Sequence, residues 1–292
     1  MHEIDNDFKM SKVEISKEDV EFIYKCYLYE LNFDLTDSNN EGRSFYDNYQ
    51  LLLTLDSNSE QFKYIFLNNL FGPIEYLAAI KKVDIKIYEL CKKRLTKNIR
   101  NVAFYGDMFE LYIAWTLVER KIEFNKPEPP DFEIIFNGSK IFIECASAQF
   151  DFNSTPSREK IFKKIKRILR EKMQKPYVNL STALFFDITN LCYHSKMLNA
   201  PLTQAEIRNT LSDLTKNLTN SVPSLININN YGVIIFFHFN SSETSTGMIN
   251  YVCDIFGIRQ NINADANLIQ FVKSSLLGNL EMNNIVVPKF HH

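Results

Sequence analysis

Asp131 and Glu144 are the acidic residues whose spacing could hold a cation. Between them lies Asn137-Gly138, flanked by the runs 132–136 and 139–143, the strongest short-range signal for a two-residue hairpin turn. Such a turn sets Phe136 opposite Ser139, Ile134 opposite Ile141 and, counting outward, Asp131 opposite Glu144 on one face. Directly opposed side chains have Cβ atoms about 5 Å apart, and like charges placed there repel. A divalent cation relieves that repulsion, and Mg²⁺ is commonly held by one or two carboxylates together with substrate phosphates. Glu144 sits in Ile141-Phe142-Ile143-Glu144-Cys145-Ala146, a run apolar on both faces that reads as a central strand rather than a solvated edge. On this reading, removing either carboxylate costs no stability.

A third acidic residue belongs to the preceding helix. Ala103, Gly106, Glu110, Ala114 and Leu117 form one stripe at helical spacing, with small residues that permit close approach to a neighbour. A Glu within that stripe is expected to be paired or to coordinate a metal. Downstream, Ile161, Phe162, Ile165, Ile168, Leu169 and Met173 mark the apolar face of a helix whose other faces are basic. Lys160, Lys163, Lys164, Arg167 and Arg170 are candidate contacts to a phosphate backbone.

These residues need elements to position them. Helical spacing is expected at 17–30 and 59–97, separated by a loop at 36–42. From residue 98 the pattern becomes a long helix to about 121, a short strand at 122–124 and a turn containing Pro127, Pro129 and Pro130. Then follow the hairpin, the basic helix (157–174), a strand (182–188), a helix (203–218), an Asn-rich loop and a strand (232–238). The expected architecture is an α/β core with a central mixed sheet flanked by helices (98–292), preceded by a helical N-terminal region (1–97).

Composition sets the class. With 292 residues and 45% hydrophobic content, the chain can bury a sizeable core. Five scattered cysteines without a Cys-x-x-Cys pair suggest buried thiols rather than a zinc site or disulfides. No uncharged stretch reaches membrane-span length and no signal-like segment opens the chain, so a cytoplasmic location is expected. Net charge is only −2, but the first 60 residues are acidic and 158–175 is basic, an asymmetry that can mark a nucleic-acid face.

A helix-borne Glu, then Pro130-Asp131 opening a strand, then Ile143-Glu144-Cys145-Ala146 resembles the PD-(D/E)XK nuclease superfamily, the restriction-endonuclease-like fold. The likeness spans 98–190. It implies that Glu110, Asp131 and Glu144 bind Mg²⁺ (or Mn²⁺), which activates water for attack on a phosphodiester. The family has a lysine two positions after the Glu, and here that position is Ala146. Lys140 shares the face of Glu144 but lies about 13 Å away along the strand. The family lets the basic residue migrate onto the next helix, which offers Lys160, Lys163, Lys164 and Lys172; Lys163 or Lys164 is the expected replacement, with Gln149 a further polar candidate. The implied activity is metal-dependent cleavage of nucleic acid, DNA above RNA, in restriction, defence or repair. The rival is a catalytically inactive nuclease-fold protein serving as a nucleic-acid-binding or protein-interaction module. A homodimer, and a protein partner docked on the acidic N-terminal region, are compatible with either.

Overall fold

The computed structural model describes residues 15–57, 59–97, 101–127, 129–151, 153–221, 231–243 and 249–276. The expected Asn-rich loop (222–230) lies outside the described residues. The chain begins with helices α1 (Lys17–Glu30), α2 (Ser44–Thr54), α3 (Glu60–Tyr64), α4 (Gly72–Val83) and α5 (Ile85–Lys97). Between α3 and α4 the residues Ile65–Phe71 form a π-helical segment, so the stretch read as helical from 59 is broken rather than continuous. Ser16 starts α1 with a reciprocal cap: its hydroxyl accepts from Asp19 N while the Asp19 carboxylate accepts from Ser16 N.

The long helix α6 (Asn101–Glu119) leads into the hairpin β1 (Phe132–Phe136) and β2 (Ser139–Ser147). Next come α7 (Arg158–Met173), β3 (Thr182–Asp187), α8 (Thr189–Met197), α9 (Gln204–Ser221), β4 (Val233–Glu243), β5 (Ile249–Gln260) and α10 (Ala266–Gln270). The five strands lie in one mixed sheet in chain order, with β2, β3 and β4 parallel and β1 and β5 antiparallel at the edges. The strand expected at 122–124 is absent. Ile122 N instead bonds to Leu117 O as the chain leaves α6 through Lys121 (φ 56°), and only Asn125 bridges to Glu133.

Strand alternation divides the core into two layers. Ala183, Phe185, Val233, Ile235 and Phe237 pack with α6 and the N-terminal helices, in a buried cluster that runs across residue 97 without a break. Leu184, Phe186, Ile234 and Phe236 face the other way, onto Ile161, Ile165 and Leu169 of α7 and onto α8 and α9. Cys91, Cys145 and Cys192 are buried free thiols, while Cys26 is only half-buried. Among the described residues no helix is long and apolar enough to cross a membrane.

Candidate active site

The hairpin turn has both central residues in the left-handed region, Asn137 at φ 50° and Gly138 at φ 77°, which is why Asn-Gly suits it. Its register is the expected one: Phe136 pairs with Ser139, Ile134 with Ile141 and Phe132 with Ile143. The next position outward sets Asp131 against Glu144. Asp131 Oδ2 accepts a hydrogen bond from Cys145 N (2.6 Å), which ties the carboxylate to the backbone of β2.

Glu144 is 1% exposed, yet it does not confront Asp131 uncompensated. Its Oε1 accepts from the ammonium groups of Lys172 and Lys175, and its Oε2 from Tyr177 Oη (2.8 Å). Burial pushes the Glu144 carboxyl up, but the Lys172 charge and the hydrogen bonds from Lys172 and Lys175 outweigh it and hold the group below its ordinary range. Removing this carboxylate therefore strands two cations and a phenol. The expectation of a cost-free removal fails here.

Glu110 is held from two other directions. Its Oε2 meets Arg94 Nη1 (2.8 Å) and Lys126 Nζ (2.6 Å), and Arg94 also reaches Asp107 (3.1 Å). The Lys126 side chain is 3% exposed and lies 4.7 Å from the centre of the Phe132 ring. Glu110 is thus paired, as a Glu in that stripe must be. The close-approach role of Gly106 does not hold, since a Cβ there would meet nothing within 4 Å. Asp131 lies between the two ion-paired groups, and burial followed by the Glu110 and Glu144 charges pushes its carboxyl up to about 7, against Lys172 and the Cys145 N–H.

The structure brings a different lysine to Glu144 from the one expected. Lys163 is exposed, and Lys164 Nζ sits 4.9 Å from the centre of the Phe150 ring. Both lie in the N-terminal half of α7. A crossover helix between parallel strands runs antiparallel to them, so that half lies beside the carboxyl end of β2 and the last turn comes back alongside Glu144. Lys172 is eight residues beyond Lys164, about 12 Å along the helix axis. Lys140 pairs instead with Glu133 (3.1 Å), and Gln149 donates to Ser147 Oγ (2.7 Å). Along α7, Ile161, Ile165, Leu169 and Met173 are buried, leaving Lys160, Arg167 and Arg170 exposed with Lys163.

Arg94, Lys126, Lys175 and Tyr177 escape a reading of motifs. Arg94 comes from α5, in the N-terminal helical region, and nothing local distinguishes it from its neighbours Lys92 and Lys93. Lys175 and Tyr177 lie in the turn that carries α7 into β3, where helical periodicity has ended.

The raised Asp131 carboxyl has a measurable consequence. The fold keeps this proton where the unfolded chain has lost it, so the group's contribution to stability falls as pH rises from about 4 to about 7 and is level above that. An asparagine side chain at this position would keep the acceptor for Cys145 N without an ionisable proton. Asp131→Asn should match the wild type at pH 4 and exceed it by about 1–3 kcal/mol at pH 8, read by urea melts at the two pH values. An equal difference at both would remove the basis for the raised carboxyl.

As a cation site the arrangement has the right donors, hard carboxylate oxygens from Asp131 and Glu144 with Glu110 near enough to act on Asp131 electrostatically. The like charge that lifts the Asp131 carboxyl is what a divalent ion offsets. Its ligands are not a finished cage: among the described residues no three acidic, His or Cys side chains converge closely enough to hold an ion. Lys172 and Lys175 would have to shift on Glu144. No family model, curated protein or solved structure matches this chain.

Proposed function

We propose that the chain is a metal-dependent nuclease with a restriction-endonuclease-like core. Asp131 and Glu144 hold Mg²⁺ or Mn²⁺, Glu110 assists, and Lys172 takes the part of the lysine missing at Ala146. What carries this reading is one observation: the carboxylate opposite Asp131 is contacted by a lysine from the following helix. Held by Asp131 and Glu144, such an ion would supply Lewis-acid polarisation of the phosphodiester and activation of water. The protein's own groups then have separate tasks. Asp131 is fixed by the Cys145 N–H, Tyr177 orients Glu144, and Lys172, held beside Glu144, is placed to stabilise negative charge developing on the phosphate.

The exposed cations of α7, Lys160, Lys163, Arg167 and Arg170, supply the phosphate-backbone contacts in this reading, with Lys164 at their margin. DNA is the proposed substrate. Each such contact removed, by Lys163→Ala or Arg170→Ala, should lower the slope of log affinity against log salt by about 0.9 on duplex DNA. An unchanged slope in the double variant would move the nucleic-acid face elsewhere.

A second reading is a binding module that keeps the fold without the chemistry. It is favoured by the neutralisation of Glu144 by the chain's own lysines. One experiment separates the two: plasmid, linear and single-stranded DNA incubated with the wild type and with Asp131→Ala, in Mg²⁺ and in Mn²⁺. Cleavage by the wild type alone supports the nuclease. DNA binding without cleavage in either metal supports the module.

A further inference from the structure

A second polar group gathers at the carboxyl ends of the parallel strands, on the opposite face of the sheet from Glu144. Ser147 ends β2 and Asp187 ends β3, side by side in register. Asp187 is 7% exposed and accepts from Ser147 Oγ (2.7 Å), Thr189 N (2.9 Å) and Thr189 Oγ1 (2.6 Å). Burial pushes its carboxyl up, while those hydrogen bonds favour the ionised form. Among the described residues no lysine, arginine or histidine is paired with it. The start of α8 beyond Thr189 contributes about half a positive charge, which leaves the carboxylate under-compensated. Gln149 donates to Ser147 Oγ, and its own Oε1 is buried without a donor among the described residues. The assembly has acceptors to spare and lacks positive charge.

Asp187 and Thr189 form part of the wall of a cavity of about 60 Å³, room for several waters or for a small ligand group. The remaining lining is mostly aromatic, with Tyr76, Tyr105, Phe109, Tyr112 and Phe239. Tyr112 and Phe239 meet edge to face with ring centres 4.6 Å apart. Asn69, from the π-helical segment, fixes the Tyr105 hydroxyl at 3.2 Å and is itself held to Asn48 (2.9 Å). π-helical turns recur at functional sites.

The geometry points to this cavity as a binding site for a primary ammonium ion carried on a small apolar body, with the ammonium donating to Asp187 and the body against the aromatic rings. The carboxylate supplies the missing countercharge, and aromatic faces attract a desolvated cation. The site lies across the sheet from Glu144, and its lining includes none of the proposed metal ligands.

Benzylammonium and its neutral counterpart benzyl alcohol test the idea by ligand-observed NMR on the full chain. Benzylammonium should bind at least tenfold more tightly. Asp187→Asn, close in shape but uncharged, should abolish that preference. Because Asp187 also accepts from Thr189 at the start of α8, Phe239→Leu at the half-buried edge of the cavity provides a second variant. It should weaken benzylammonium by about 2- to 30-fold while keeping apolar volume. Equal binding of the two probes, no binding of benzylammonium at millimolar concentration, or an affinity unchanged by Phe239→Leu would overturn the assignment.

Discussion

If the chain is the nuclease proposed above, Lys172→Ala should lower the rate of Mg²⁺-dependent DNA cleavage by a factor on the order of 10²–10³ and leave DNA affinity within about twofold. The asymmetry follows from position. Lys172 is bound to a buried carboxylate at the end of α7, not displayed on the exposed basic face. A group held there gains its interaction as charge builds on the phosphate, so its loss appears in kcat. Lys163→Ala should do the reverse, weakening binding with kcat little changed, because its side chain is exposed on the helix. The family position supplies a further arm. Ala146 lies on the same face as Glu144 and in one buried cluster with Leu169 and Met173, so a lysine introduced there reaches toward the same place as Lys172. Ala146→Lys in the Lys172→Ala background should recover part of the lost turnover. A Lys172→Ala enzyme with wild-type kcat would end the case for a migrated lysine on this helix.

The Asp131–Glu144 register was legible because it depends on two adjacent residues and on counting. Asn137 and Gly138 dictate the turn, and period-two geometry carries the pairing outward without tertiary information. The choice among the α7 lysines depends on the direction of a crossover helix relative to its strands. The apolar stripe Ile161-Ile165-Leu169-Met173 locates the buried face of the helix but not which of its ends returns to Glu144. Arg94 and Lys126 lie further out of reach, since each meets Glu110 across a separation of 16 residues and between different segments. The missed strand β5 has a local cause. Its apolar alternation at Ile249, Tyr251, Cys253 and Ile255 changes phase before Ile258, and the irregularity opposite Phe236 and Phe237 leaves Phe256 without a register partner. An alternation that slips by one residue does not read as a strand.

Glu144→Ala should destabilise the fold by about 2–4 kcal/mol at pH 7, although it deletes one of two opposed carboxylates. Breaking a buried ion pair from one side costs about 3–5 kcal/mol, because the partner is left desolvated and unpaired. The partners here are partly relieved, since the side chains of Lys172 and Lys175 are 23% and 39% exposed and can turn toward water. The loss of repulsion on Asp131 also gives something back, as its carboxyl then ionises more easily beside Lys172. Both corrections reduce the cost without cancelling it, because Tyr177 Oη loses its acceptor as well. Urea denaturation of Glu144→Ala, Lys172→Met and the double variant isolates the pair: the two single losses should exceed the double loss by at least about 1 kcal/mol. Strict additivity would mean that Lys172 and Glu144 do not stabilise one another in solution. It would also return Glu144 to the role of an uncompensated carboxylate awaiting a metal, with Lys172 no longer tied to the site.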